Sequence, residues 1–253
     1  LLIGHGQVPT IMPEASKIIA GGHMEDRNLP NALCDSITEE AGNAVADILE
    51  VGLDSIFEDG LLKDVPLLST ATSLYKIGHS IKERHYIKKL AEFIHALNDG
   101  LVGDAQVKVF RDKILHNQRK TKKELEYILI LVDRYISYGK STIIAKLYLS
   151  YLDSKLNWEE FSMYSEVTDQ LFINDLDFLR KEGNQIIPET SSDAALRLTS
   201  MGLLFEVHEV PEFSINQENG HLYYETEAEK NEKIFSRTMF GTKYIEIIDS
   251  TNP

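Results

Sequence analysis

The stretch IKERHYIKKLAEFIHALN, residues 81–98, has the period that decides the fold of this 253-residue chain. Its main apolar residues fall on one stripe of a helix: Ile81, Leu90, Ile94 and Leu97. Its charged residues face away from that stripe: Lys82, Lys88, Lys89 and Glu92. This spacing is typical of an amphipathic helix that buries one side. The Asn-Asp-Gly run that follows predicts the end of the helix.

Similar stripes recur through much of the chain, in residues 121–136, 142–152, 158–172 and 176–182. They are separated by short polar or glycine-containing breaks, which make neighbouring helices antiparallel. With 43% hydrophobic and 26% charged residues, the chain can bury a large core. We therefore predict a helical bundle over residues 25–182. Asn157 and Glu160 have the spacing of a capping box at the start of one helix, with Trp158 and Phe161 packing behind them.

The pattern changes near residue 183. A short helix is predicted at 193–200, with Ser191 or Ser192 as the candidate N-cap and Gly202 just past its end. The run LLFEVHEV at 203–210 alternates as a strand, with Leu203, Phe205 and Val207 pointing inward. A polar, acidic stretch follows, and then a strand at 233–238 and a helix at 240–248. The predicted fold class is thus mainly α, a helical bundle followed by a small α+β winged-helix-like domain at 183–253.

Residues 1–24 lack a clear period and end in Gly-His-Met, a common scar of expression cloning. We expect them to be a leader or an expression-derived segment. The longest apolar run, 127–132, is far shorter than a membrane span, and the single cysteine, Cys34, cannot form an intramolecular disulfide. The sequence therefore predicts a cytoplasmic protein without a membrane-spanning segment.

The charge of the chain is unevenly distributed. The formal net charge is −14, yet residues 76–123 contain 12 Lys or Arg against 5 Asp or Glu, a local +7 that leaves −21 for the rest. A basic segment of this kind is either a set of solvated helix faces or a surface that contacts nucleic acid or an acidic partner. Residues 174–253 carry 15 acidic and 7 basic residues, which opposes DNA binding by the C-terminal unit.

Two stretches resemble binding loops but lack residues that those loops require. Gly139-Lys-Ser-Thr ends like a phosphate-binding loop, but Arg134 stands where the first glycine is required, and a helical stripe precedes it instead of a strand. Gly139 is predicted to stop one helix, with Ser141 or Thr142 capping the next. The stretch around Asp153 resembles half of a calcium loop without oxygen ligands in its first half. The sequence thus predicts no cofactor and no metal.

Arg111 and His116, in RDKILH, resemble the Arg-x4-6-His signature of the HEPN family of metal-independent ribonucleases. The resemblance implies that His116 acts as a general base or acid on the 2'-hydroxyl of RNA and that Arg111 stabilises charge on the phosphate.

A second resemblance covers the last 100 residues well and the helical body loosely. The runs LNWEEFSMYSEVTDQLFINDLDFL (156–179), LTSMGLL (198–204) and RTMFGTKYIEII (237–248) resemble the bacterial abortive-infection alpha family and its uncharacterised relatives. The resemblance implies a role in defence against phage or carriage on a mobile element, and it brings no catalytic residues. Gly202 and Gly241, which lie in two of these runs, are predicted to permit turns.

The first functional hypothesis is a non-catalytic protein-interaction module of a phage-defence or prophage-linked system. Its partner would be an unknown phage or host protein or a second copy of the chain. The candidate interaction residues are aromatic or basic: Tyr223, Tyr224, Arg119, Lys120, Lys122 and Lys123. One alternative is a dimeric ribonuclease that uses Arg111 and His116. A second is a nucleic-acid-binding regulator that acts through residues 76–123.

Overall fold

The computed structural model describes residues 29–51, 56, 60–74, 80–101, 103–181, 192–207, 213–218, 221–226 and 234–250. The predicted leader, residues 1–24, lies outside them, as does the predicted domain boundary near residue 183. The described chain is mainly helical, as predicted. None of its helices combines the length and the apolar character that a bilayer crossing requires.

Nine α-helices in the described chain precede residue 182, and a short 3-10 helix (Leu61–Lys63) lies between the second and the third. They are α1 (Leu29–Asp35), α2 (Glu39–Glu50), α3 (Pro66–Leu74), α4 (Ile81–Asp99), α5 (Asp104–His116), α6 (Gln118–Arg134), α7 (Tyr138–Leu152), α8 (Trp158–Gln170) and α9 (Asp175–Arg180). The C-terminal part contains, in order, α10 (Ser192–Ser200), β1 (Leu204–Val207), β2 (Phe213–Glu218), β3 (His221–Thr226), β4 (Ile234–Arg237) and α11 (Met239–Asp249). A single cluster of buried apolar residues extends from Leu29 in α1 to Ile248 in α11.

Helices α4 and α7 pack along each other more extensively than any other helix pair in the described chain, and they form the centre of the body. Helix α2 packs on α4, α8 packs on α7, and α6 contacts both central helices. Phe93 of α4, Tyr148 of α7 and Phe161 of α8 are completely buried. Trp158 lies 5.0 Å from Phe161 between ring centroids. The predicted packing of Trp158 and Phe161 is therefore confirmed.

The capping box at the start of α8 is also confirmed. The backbone N–H of Glu160 donates to Asn157 Oδ1 at 2.9 Å, and the backbone N–H of Asn157 donates to Glu160 Oε2 at 2.8 Å. Two amides that the helix leaves unbonded thus gain partners from residues three apart in sequence. Ser80 and Glu83 form a second capping box at the start of α4.

The predicted orientation of α4 is wrong at two positions. Lys89, predicted to face solvent, is only 3% exposed, whereas Ile81, predicted to face the core, is 71% exposed. Ile81 is the first residue of α4, and the buried face begins at Tyr86. Lys89 is buried because its Nζ donates to the carbonyl oxygens of Asp133 and Tyr135, at 2.7 and 2.6 Å, where α6 ends.

Three other lysines of α4 and α7 cap neighbouring helices in the same way. Lys88 Nζ donates to the carbonyls of Leu49 and Val51 at the end of α2. Lys140 and Lys146 of α7 donate to carbonyls near the ends of α8 and α11, at 2.6 and 2.5 Å. A cation at a helix C-terminus satisfies carbonyls that have no intrahelical partner and lies at the negative end of the helix dipole. Each central helix thus holds the C-terminal ends of two neighbours.

The corner between α6 and α7 differs from its prediction. Tyr135, with an extended backbone, ends α6, and α7 begins at Tyr138. Gly139 therefore lies in the first turn of α7 and does not stop a helix. Ser141 is buried inside α7, so neither it nor Thr142 is an N-cap. The helix that precedes this corner is incompatible with a phosphate-binding loop, which must follow a strand.

The strands form two antiparallel pairs, β1 with β4 and β2 with β3. Strands β1 and β4 lie within the predicted segments, whereas β2 and β3 fall in the stretch that the sequence marked only as polar. The predicted alternation of β1 is wrong, because Leu204 is buried and Phe205 is 47% exposed. Leu203 and Leu204 are both buried where the chain turns after Gly202, whose φ is +73°, so the predicted alternation does not hold at the start of the strand.

Helix α11 is held tightly against the body. The hydroxyls of Tyr244 and Thr168 are 2.9 Å apart, and the rings of Phe240 and Tyr164 stack at 4.3 Å. The prediction that Gly241 permits a turn is wrong, because Gly241 lies inside α11. A Cβ atom at Gly241 would lie 2.2 Å from the carbonyl oxygen of Leu203, so glycine is needed there for close approach of the helix to the chain.

Candidate functional site

The structure does not bring the predicted ribonuclease pair together within one chain. Both residues lie on α5, five positions apart, which places them about 140° apart around the helix. Arg111 points toward α1, where its Nη2 donates to the carbonyl oxygen of Cys34 at 2.7 Å. His116 is exposed at the last position of α5. Arg111 therefore holds two helices together, and the proposed pairing in a dimer stays a prediction.

The basic segment divides into two parts with opposite environments. In α4, Lys88 and Lys89 bond to carbonyls of neighbouring helices. At the junction of α5 and α6, the cations surround Asn117 and point outward. We call these residues the basic corner: Lys113, Arg119, Lys120, Lys122 and Lys123. All of them are exposed except Lys122, which is partly buried.

Three members of the basic corner, Arg119, Lys122 and Lys123, form no ion pair or hydrogen bond with any described residue. Helix α6 also has no acidic residue in its first turn. Cations at a helix N-terminus lie at the positive end of the helix dipole and are not favoured there by the helix itself. The basic corner therefore presents positive charge that the described part of the chain leaves unneutralised.

Lys120 belongs to a small polar network beside these free cations. Its Nζ lies 2.9 Å from the hydroxyl of Tyr151, which in turn donates to Glu124 Oε1 at 2.6 Å. Glu124 is buried, so its carboxylate needs these donors. The hydrogen bond with Tyr151 raises the pKa of Lys120. Burial, followed by the hydrogen bond with Glu124, raises the pKa of Tyr151.

A groove of about 280 Å³ opens next to the basic corner, between α5 and the C-terminal end of α7. Its apolar lining includes Leu101, Val109, Phe110, Leu149 and Leu152. Two lysines and an aspartate form its rim: Lys113, Asp153 and Lys155. Lys113 Nζ lies 3.0 Å from Asp153 Oδ1, whereas Lys155 has no side-chain partner among the described residues.

This groove is not predictable from the hydrophobic pattern of the sequence. The available signal was in α5 itself, where Phe110 and Ile114 are buried at the expected four-residue spacing, but Val109 lies off that stripe and is 51% exposed. An apolar residue beside the buried stripe is a weak sign of a contact surface. The other walls come from the loop after α4 and from the C-terminal end of α7, and the sequence alone does not bring α7 to α5.

The candidate residues of the C-terminal unit have different surroundings. Arg197, the one cation in α10, forms two hydrogen bonds of 2.8 Å with the Asp175 carboxylate and lies over the Phe172 ring. It is therefore already neutralised by α9. Tyr223 and Tyr224 lie in β3, paired in register with Asn216 and Ile215 of β2.

The described residues contain no cluster of His, Cys, Asp and Glu that could hold a metal ion. Cys34 is buried, and burial raises the pKa of its thiol to about 11, so the thiolate needed for nucleophilic chemistry is scarce at neutral pH.

Comparison of the chain with protein-family models, curated proteins and solved structures gave no match. The interpretation of this surface therefore depends on its own geometry.

Proposed function

We propose that this protein is a non-catalytic binding module whose basic corner binds an acidic protein. The observation that carries the proposal is the segregation of the cations. Four lysines of α4 and α7 are engaged by helix ends, whereas Arg119, Lys122 and Lys123 have no partner in the described chain. A cluster of exposed positive charges attracts an anionic surface and accelerates its association.

The rest of the molecule favours a protein partner over a nucleic acid. The chain carries a net charge of −14, which repels an extended phosphate backbone that reaches beyond the basic corner. An acidic patch on a protein can be small enough to contact the basic corner alone. The apolar groove beside the corner adds a surface that suits side chains better than phosphates.

The biological setting of the proposal comes from the resemblance to the abortive-infection alpha family, namely a bacterial phage-defence or prophage-linked system. We also propose that the C-terminal unit is winged-helix-like, which the order α10, β1, β2, β3, β4, α11 supports. Because Arg197 is bound to Asp175, we assign this unit to packing or protein contact and not to DNA recognition.

A capture experiment tests the proposed function. Immobilised protein is incubated with nuclease-treated bacterial lysate, with and without phage infection, and bound proteins are quantified by mass spectrometry. We expect proteins with acidic surfaces to bind the wild type and to be lost from the double variant Arg119→Glu/Lys123→Glu. Lys82→Glu is the matched control, because Lys82 is 82% exposed on α4 and lies 4.0 Å from Asp133.

The same experiment separates the alternatives. If the double variant captures the same proteins as the wild type, the basic corner is not the binding surface. If binding is present without nuclease and disappears with it, the nucleic-acid-binding regulator is the better hypothesis. The ribonuclease alternative predicts cleavage of single-stranded RNA in EDTA that is lost in His116→Ala. It is supported by the exposure of His116 beside the basic corner.

A further inference from the structure

The groove between α5 and α7 has the size of a side-chain pocket. Its volume of about 280 Å³ is slightly below the roughly 300–1,000 Å³ of small-molecule sites. Leu149 and Leu152 of α7 are half-buried and Phe110 is buried, while Val109 forms an exposed wall. Such a pocket can accept one or two apolar side chains but not a large cofactor.

The groove is elongated along α5. Ala105, Val109 and Lys113 line it at intervals of four residues, which places them in one row about 12 Å long on the helix. Ala105 is small, so a second backbone can approach this row closely. A row of this spacing matches the i, i+4 pattern of a helix laid in a groove.

The rim of the groove carries a net positive charge. Lys113 and Asp153 form an ion pair whose side chains are 36% and 55% exposed, and exposed pairs of this kind contribute little to stability. Lys113 can therefore exchange Asp153 for an incoming carboxylate at small cost. Lys155 has no ion pair or hydrogen bond with a described side chain, so it can take a carboxylate directly.

From these three observations we infer that the groove is the anchor site for an acidic amphipathic helix of the partner protein. One apolar side chain of that helix enters the groove beside Val109, and flanking carboxylates bind Lys113 and Lys155. This inference rests on the proposed function of the basic corner, because the same helix extends the acidic surface that the corner attracts. An apolar centre with a polar rim is the usual anatomy of a protein interface.

A binding measurement with designed peptides tests the inference. The probe is a fluorescein-labelled 15-residue helical peptide, about 22 Å long, with Leu at i and i+4 and Glu on both flanks. Two matched peptides replace either Leu by Ala or Glu by Lys, and a fourth consists of Glu alone. We expect the acidic amphipathic peptide to bind with the highest affinity in fluorescence anisotropy, and the Lys-flanked peptide not to bind.

Two variants block the groove from its exposed wall. Val109→Glu introduces a like charge for the peptide, and Ala105→Trp fills the pocket; both positions are exposed, so we expect the variants to fold. Each is expected to weaken binding of the amphipathic peptide about tenfold or more. Ile130→Glu is the matched control, since Ile130 is an exposed aliphatic residue of α6 outside the groove. Circular dichroism and thermal melting show that each variant is folded.

Several results would overturn the inference: no binding of the acidic amphipathic peptide, equal binding when Leu is replaced by Ala, or unchanged binding by both groove variants. Tighter binding of phosphatidylglycerol vesicles or of RNA than of the peptide would assign the surface to a membrane or a nucleic acid instead. Failure of the groove is distinguishable from failure of the basic corner. Binding of the all-Glu peptide that is lost in Arg119→Glu/Lys123→Glu supports the corner, whatever the groove variants show.

Discussion

Helix α4 and the α5–α6 junction are both basic in sequence, yet their cations do opposite things. Lys89 of α4 is 3% exposed and bonds to two backbone carbonyls, whereas Lys123 of α6 is exposed and has no partner in the described chain. The difference lies in their neighbours, because the C-terminal ends of other helices reach α4 and α7. The number of lysines in a segment therefore indicates the positive charge of its surface only when the lysines that cap neighbouring helices are left out.

The largest expected effect comes from reversing the charge at the buried position. Lys89→Glu places a carboxylate against the carbonyl oxygens of Asp133 and Tyr135, which have no proton to donate. We expect a loss of about 3–5 kcal/mol in the free energy of unfolding, as for a buried charge without a partner. Urea denaturation measures it. A loss below 1 kcal/mol would mean that the end of α6 is not held by Lys89.

The second prediction concerns pH. Burial lowers the pKa of Lys89 to about 8 from the usual 10.5. Between these two values the unfolded state binds more protons than the folded state, so Lys89 makes the protein more stable as the pH rises. We expect the stability of the wild type, relative to Lys89→Met, to increase by about 1–3 kcal/mol from pH 7 to pH 10.

The comparison with Lys89→Met at each pH cancels the contribution of other titrating groups. At pH 7 the variant itself is expected to lose about 1–3 kcal/mol, because two carbonyls lose their donor. Parallel stability curves for the two proteins would contradict the lowered pKa.

A smaller effect is expected at Lys146, whose Nζ donates to the carbonyl of Ile248 from a half-buried position. Lys146→Met should destabilise the protein by about 1 kcal/mol and increase hydrogen exchange at the end of α11. Unchanged exchange in α11, with a loss elsewhere, would show that this lysine does not hold the helix end.

The smallest expected effect on stability is at the basic corner. Lys123→Glu should change the free energy of unfolding by less than about 0.5 kcal/mol, while it weakens binding of the acidic probe. A large destabilisation would show that Lys123 has a structural partner, and would remove the contrast with Lys89.

The features that the sequence predicted correctly are local. The capping box of Asn157 and Glu160 depends on residues three apart, and the helical stripes depend on neighbours three and four apart. The burial of Lys89 was not predictable in this way, since its carbonyl partners lie 44 and 46 residues further on. The groove was missed for the same reason, because α5 and α7 meet only in the folded chain.

Strands β2 and β3 show a second reason why the fold is only partly predictable from the sequence. Their sequences, FSINQE and HLYYET, are too polar to stand out by hydrophobic alternation, so the segment appeared as an acidic connection. Gly241 shows a third reason, since a glycine at a close contact and a glycine in a turn look identical in sequence.

The position of α11 has a consequence for the order in which the protein acquires its structure. Thr168 meets Tyr244 across 76 residues, and Lys146 meets the carbonyl of Ile248 across 102. At about 5–20 residues per second of synthesis, Thr168 waits roughly 4–15 s for its partner. During that interval the faces of α7 and α8 that later cover Tyr244 remain open on the ribosome. The newly made body is thus incomplete until its last described helix emerges, and chaperones can act on it in that time.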